Sequence, residues 1–194
     1  MKCIDPLPDC LDDRLIGEIS EHANIPCHDE ARVEELIYDA IAMLEHDTNR
    51  LFVQRAVVET FEYSEVAERD LHLTRWPVTE LTLFEKGAGC GEFEAVDIPA
   101  SEKWEFDNKC KLPRIRRCCG SSQCDCKTEF RVTYVAGYPC FVEWPQLARM
   151  AIRSLVAHLY NVREAYSENK LVPSPAGYER IVQRLKRRRF QVQS

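Results

Sequence analysis

The sequence contains no apolar run approaching the roughly 18 residues that a membrane-spanning helix needs, so no transmembrane segment is expected. Its beginning, MKCIDPLPDCLDD, has two prolines and several acids where a secretory signal would carry an apolar core. Export is therefore not expected, and synthesis in the cytosol is. There is no P-loop, no dinucleotide-binding glycine motif and no HExxH, which removes the common nucleotide and zinc-protease chemistries. None of His22, His28, His46, His72 and His158 has a nucleophile motif beside it, so Cys–His catalysis is not indicated. No internal repeat is visible. The acids lie on predicted helix surfaces, where solvation explains them.

What remains is 194 residues of ordinary globular composition, 45% hydrophobic and 30% charged. That is enough for one substantial domain, or one domain with a subdomain. The net charge of −6 is unevenly placed. Through Asp47 there are 13 acidic and 3 basic residues; from Gly177 to Ser194 there are 6 basic and 1 acidic. An acidic body with a basic tail argues against a broad nucleic-acid-binding surface. Either the two ends meet different partners or complementary faces of sister subunits, or both are solvated helix faces.

Hydrophobic periodicity divides the chain. Met1 to Pro8 reads as an irregular arm. Asp9 or Asp12 can cap a short helix carrying Leu11, Leu15, Ile16 and Ile19. His28 or Asp29 caps a second helix, with Val33, Leu36, Ile37, Ala40, Ile41 and Leu44 on its inner stripe and Glu30, Glu34, Glu35, Asp39 and Glu45 outside. From Leu51 to Tyr138 the helical period disappears. Phe52–Tyr63, Leu71, Leu73, Val78–Phe84 and Phe93–Ile98 read as strands, with a turn expected at Lys86–Gly91. Trp104–Asp107 and Pro113–Ile115 are weaker candidates. The clearest strand alternates Phe130, Val132, Tyr134 and Ala136, and Gly137-Tyr138-Pro139 ends it. After Trp144-Pro145, the residues Leu147, Ala148, Ala151, Ile152, Leu155, Val156 and Leu159 mark one face of a long helix. Ser174 can cap a last helix, with Pro175 at its first position, running toward Arg189. The expected fold class is α+β. Residues 1–50 and 143–194 form a bundle of terminal helices, and 51–142 form a β-rich insert.

Two stretches are candidates for binding. Cys110, Cys118, Cys119, Cys124 and Cys126 place five of the ten cysteines within 17 residues. Thiolates on a tight turn can supply the four soft ligands of a structural zinc, and the nearby Lys and Arg side chains would help keep them ionised. The spacing lacks a paired C-x2-C. Disulfides formed after release from the cell and unpaired loop thiols are the competing readings. The second stretch is the basic end, with Arg180, Arg184, Lys186, Arg187, Arg188, Arg189 and Phe190. It can contact phosphate, or dock on an acidic protein. It lacks the interleaved aromatics that stack on bases.

Four blocks in order resemble the head–tail connector (adaptor) proteins of tailed bacteriophages. They are ELIYDAIAMLEHDTNR at Glu35–Arg50, LTRWPVTEL at Leu73–Leu81, VTYVAGYP at Val132–Pro139 and WPQLARMAIRSLVAHLYNVREA at Trp144–Ala165. The cysteine loop and the acidic arm depart from the pattern. The resemblance implies a structural virion protein and no enzyme, made in the bacterial host cytoplasm. It would sit in the neck as a ring, typically of twelve copies, that joins the portal vertex of the capsid to the tail. Implied partners are the protein itself, the portal protein, a downstream stopper or tail protein, and viral DNA passing through the lumen, with no membrane. No cofactor is required. The segment Ala176–Phe190 would reach the portal or a neighbouring subunit. Twelve copies at −6 would carry on the order of −72 formal charges, and an acidic lumen lets DNA slide. A reading from a different class is a small zinc-stabilised nucleic-acid-binding module using the cysteine loop and RLKRRR.

Overall fold

The computed structural model describes residues 2–7, 13–23, 25–26, 29–62, 70–89, 92–98, 104–108, 113–117, 129–161 and 175–186. Among these the chain is α+β, with four α-helices and two antiparallel sheets. It divides into two compact units, Met1–Pro6 with Gln54–Gly137 and Leu7–Val53 with Tyr138–Ser194.

The second unit holds the helices: α1 (Asp13–Ala23), α2 (Glu30–Thr48), α3 (Gln146–Asn161) and α4 (Tyr178–Leu185). The stripes expected from sequence form its core. Leu15 and Ile19 of α1 and Val33, Ile37, Ala40, Ile41 and Leu44 of α2 are buried with Ala148, Ala151, Ile152, Leu155 and Val156 of α3. Pro145 immediately precedes α3, and its carbonyl accepts from Ala148 N–H at 2.8 Å and Arg149 N–H at 3.2 Å. The Trp144 ring packs against those of Phe52 and Phe141, with centroids 5.4 and 5.2 Å away. Glu45, expected outside, is buried. Its carboxylate accepts the Phe52 N–H at 2.7 Å and the Val53 N–H at 3.4 Å, just past the left-handed Asn49 that ends α2. A backbone leaving a helix toward the core needs an acceptor for its buried N–H groups, and Glu45 supplies it.

The helix termini depart from expectation in two places. Asp29 makes no side-chain cap bond to α2; its Oδ2 accepts from Tyr160 Oη at 2.7 Å, near the end of α3. Helix α4 starts at Tyr178, three residues after Pro175, because Gly177 takes a left-handed conformation (φ 86°) that no helix interior allows. It ends at Leu185, with Lys186 extended. Tyr178 and Leu185 are buried, and Tyr178 Oη donates to Asp47 Oδ2 at 2.9 Å.

The first unit holds the strands: β1 (Lys2–Ile4), β2 (Arg55–Glu62), β3 (Asp70–His72), β4 (Val78–Gly89), β5 (Glu92–Ala95), β6 (Trp104–Asp107), β7 (Arg114–Arg117) and β8 (Glu129–Ala136). The larger sheet runs β1-β2-β8-β4-β5 and the smaller β3-β7-β6. Within the arm expected to be irregular, Lys2–Ile4 form β1, which pairs antiparallel with β2. Of the hairpin turn expected at Lys86–Gly91, the residues up to Gly89 belong to β4, and Cys90 and Gly91 lie outside the described residues. Strand β4 continues through a bulge at Gly87–Gly89 before β5 returns. Central β8 pairs antiparallel with β2 and β4 and buries Phe130, Val132, Tyr134 and Ala136 on alternate positions. Between the sheets, the Phe84 and Phe130 rings lie 5.7 Å apart and nearly parallel. Trp104 of the smaller sheet meets both edge-on, at 5.1 and 5.3 Å. Such aromatic pairs add about 0.5–1.5 kcal/mol beyond area burial.

The stretch between β3 and β4, Leu73 to Pro77, has almost no regular structure, yet the rest of the unit converges on it. Leu73 N–H donates to the Pro113 carbonyl at 3.1 Å. Thr74 donates to Glu59 through its N–H (3.1 Å) and its hydroxyl. Arg75 N–H donates to Tyr134 Oη at 3.2 Å, and that hydroxyl donates onward to Glu59 Oε1 at 3.0 Å. The Trp76–Pro77 peptide is cis, and the Pro77 carbonyl accepts Gly137 N–H at 2.8 Å. Gly137 has φ 114°, a conformation open to glycine and strained for other residues. Glu59, 1% exposed, is thus a buried carboxylate receiving three donors from two other segments.

Glu59→Leu strands those donors and is expected to lower unfolding free energy by about 3 kcal/mol or more, whereas Tyr134→Phe loses about 1–2 kcal/mol. Urea denaturation measures both. Burial first, then the Glu59 charge, raises the pKa of Tyr134 well above the ordinary tyrosine range; burial and the Asp47 bond do the same to Tyr178. With the unfolded hydroxyls near 10, this stability is full below about pH 10 and falls as pH rises further, by up to about 1.4 kcal/mol per unit per tyrosine. Alkaline denaturation curves of Tyr134→Phe and Tyr178→Phe are expected to be flatter than that of the parent; equal slopes would refute this.

Candidate assembly surface

The basic segment is displayed by α4. This short helix sits on its unit through Tyr178 and Leu185, with Ile181 and Val182 half-buried beside them. That orientation turns Arg180 and Arg184, four residues apart, to solvent; Lys186 follows, also exposed. Among the described residues no carboxylate pairs with these three side chains. Glu179 in the first turn and Arg184 in the last both suit the helix dipole. Arg187, Arg188, Arg189 and Phe190 lie outside the described residues.

On the opposite side of the charge balance, α2 turns Glu35 and Asp39 outward, opposite its buried stripe. Neither pairs with a cation among the described residues. Met43, Leu83, Val142 and Met150 are the exposed large apolar residues among those described. Scattered apolar side chains of this kind are ordinary.

Several arginines elsewhere are paired. Arg114 of β7 bonds Asp70 at 2.6 Å and Asp107 at 3.3 Å, and Arg116 lies 3.5 Å from Asp70. These pairs follow the strand register, Asp70 opposite Arg116 and Asp107 opposite Arg114. Arg153 of α3 pairs with Glu18 of α1.

The cysteine cluster Cys110, Cys118, Cys119, Cys124 and Cys126 lies outside the described residues. Among the described residues no group of three or more His, Cys, Asp or Glu is arranged to hold a metal. Cys3 and Cys140 are free and exposed. No helix among the described residues is long and apolar enough to cross a membrane.

The Glu59–Tyr134–Thr74 hub was not anticipated from sequence. A signal for it exists: Val57 and Phe61 alternate around Glu59, so the strand period itself points Glu59 inward. The Tyr178–Asp47 bond, across 131 residues, has no local signal.

No family model matches the sequence, and no curated protein matches it. Solved structures do. A chain in the neck of an empty gene transfer agent (GTA) particle, computed with C6 symmetry, is 15% identical with a TM-score of 0.73, covering 100% of this chain and 98% of that one. A chain of the virion of the native GTA particle is 17% identical with a TM-score of 0.74 over the same shares. A chain in the native GTA neck computed with C12 symmetry gives 0.67 at 17% identity, over 98% of each chain. The fold of this chain is thus that of chains in the neck and virion of the GTA particle, matched over 98–100% of its length.

Proposed function

We propose that the chain is a structural neck protein of a phage-like virion. It forms a ring that joins the portal vertex of the capsid to the tail and gives passage to DNA. The observation that carries this reading is the fold shared over nearly the whole of both chains with neck proteins of the GTA particle. Three features of the chain itself support it. The four sequence blocks lie in scaffold positions: α2, the Leu73–Pro77 hub, β8 with Gly137, and α3. The helices fall in one compact unit and the strands in another, which suits a subunit that presents different surfaces to different neighbours. The outward charges of α2 and α4 are opposite in sign, which suits complementary docking between copies or with other proteins.

In this role the chain needs no cofactor and turns over no substrate. The segment Ala176–Phe190, with Arg180, Arg184, Lys186, Arg187, Arg188, Arg189 and Phe190, contacts the portal or a neighbouring subunit. The net charge of −6 per copy makes a ring strongly acidic, which repels DNA and keeps it from sticking in transit.

Particles purified from the host are expected to contain the chain at about one ring per particle, at the neck by electron microscopy. Particles made without it are expected to be tailless heads. Absence of the chain from the neck sinks the proposal. Tight, salt-sensitive DNA binding by an isolated zinc-loaded monomer would favour the nucleic-acid module instead.

A further inference from the structure

Taking the ring reading as its basis, we propose that the exposed face of α4 docks on the exposed face of α2 in a second copy of this chain, head to tail. Arg180 and Arg184 stand four residues apart on α4; Glu35 and Asp39 stand four apart on α2. Residues at that spacing lie one above the other, about 6 Å apart, so two such helices laid side by side bring both pairs together at once. Neither set has an ion-pair partner among the described residues. Lys186 extends the basic face beyond the helix, and Glu179 is the single acid on it. Tyr178 and Leu185 bind α4 to its own unit, so the basic side remains turned away from it.

The contact uses two different patches, one giving and one receiving. A heterologous contact of that kind repeats from copy to copy and closes into a ring when the rotation allows. The same two patches paired reciprocally across a two-fold axis would stop at a dimer. A head-to-tail arrangement of this contact is the one that suits cyclic assembly, the symmetry with which the GTA necks were computed.

The test is charge reversal followed by sedimentation of the purified chain at low salt. The parent is expected to self-associate with a dissociation constant below about 1 mM, weakening as salt rises to about 0.5 M. Arg180→Glu with Arg184→Glu, or Glu35→Arg with Asp39→Arg, should each weaken association at least about tenfold. An equimolar mixture of the two double variants should restore it, because every α4 then meets an α2 of opposite sign. Restoration also shows that both variants are folded. The inference is overturned if the parent stays monomeric throughout, if either variant alone associates like the parent, or if the mixture does not recover. Reversals that abolish portal binding but spare self-association overturn it too, and assign the basic face to the portal. A chain present in particle necks while these results fail leaves the ring reading standing; a chain absent from particles removes the ring reading itself.

Discussion

The Glu59 carboxylate holds the β unit together. It sits on the inward side of β2, where Val57 and Phe61 flank it, and it is reached by Thr74 and by the Tyr134 hydroxyl. A charged group taken out of water is costly unless donors replace its hydration. Three donors do so here, and they come from parts of the chain 15 and 75 residues away. The carboxylate thereby makes an irregular segment as determinate as a strand. Leu73 to Pro77 has no ladder of its own, yet its backbone groups are bonded to β8, to the residue before β7 and to Gly137. The smaller sheet and the larger one are registered against each other through these few bonds and the Phe84–Trp104–Phe130 cluster.

This explains why a short, degenerate motif such as LTRWPV can mark a fold. Its residues have backbone roles more than chemical ones. Thr74 supplies two donors, Arg75 an N–H, and Pro77 a carbonyl placed for Gly137. The same holds just past the central strand, where Gly137 is needed for its backbone angle and Tyr138 pairs with Val53. In the helical unit Glu45 does for the end of α2 what Glu59 does for the hub: a buried acid accepts backbone N–H groups where the ladder stops.

How much of this could be read from sequence depended on range. Helices α2 and α3 and strand β8 were legible because their stripes repeat every few residues, and periodicity is a local property. Glu45 and Glu59 were not, since acids in amphipathic elements ordinarily face water and the groups that justify their burial lie elsewhere in the chain. The start of α4 was misplaced because Pro175 is a fair first helical residue in isolation, while Gly177 in the left-handed conformation delays the helix. Strand β1 carries too few residues to show a period, and only its pairing with β2 makes it a strand. Of the candidate site, the basic sequence was plain, but which of its charges point outward required the burial of Tyr178 and Leu185.

The sequence RIRR at Arg114–Arg117 looks, letter by letter, like a landing place for a polyanion. Its first residue lies between Asp70 and Asp107, and its third, more exposed, pairs with Asp70. Opposed charges a few ångströms apart produce a field that dies quickly with distance, and at physiological ionic strength salt screens what remains over a Debye length of about 8 Å. A strand of DNA beyond that range is indifferent to these two arginines and responds only to the sum of the surface around it. On the smaller sheet, the paired arginines are therefore electrically quiet, and their guanidinium groups act as cement between neighbouring strands.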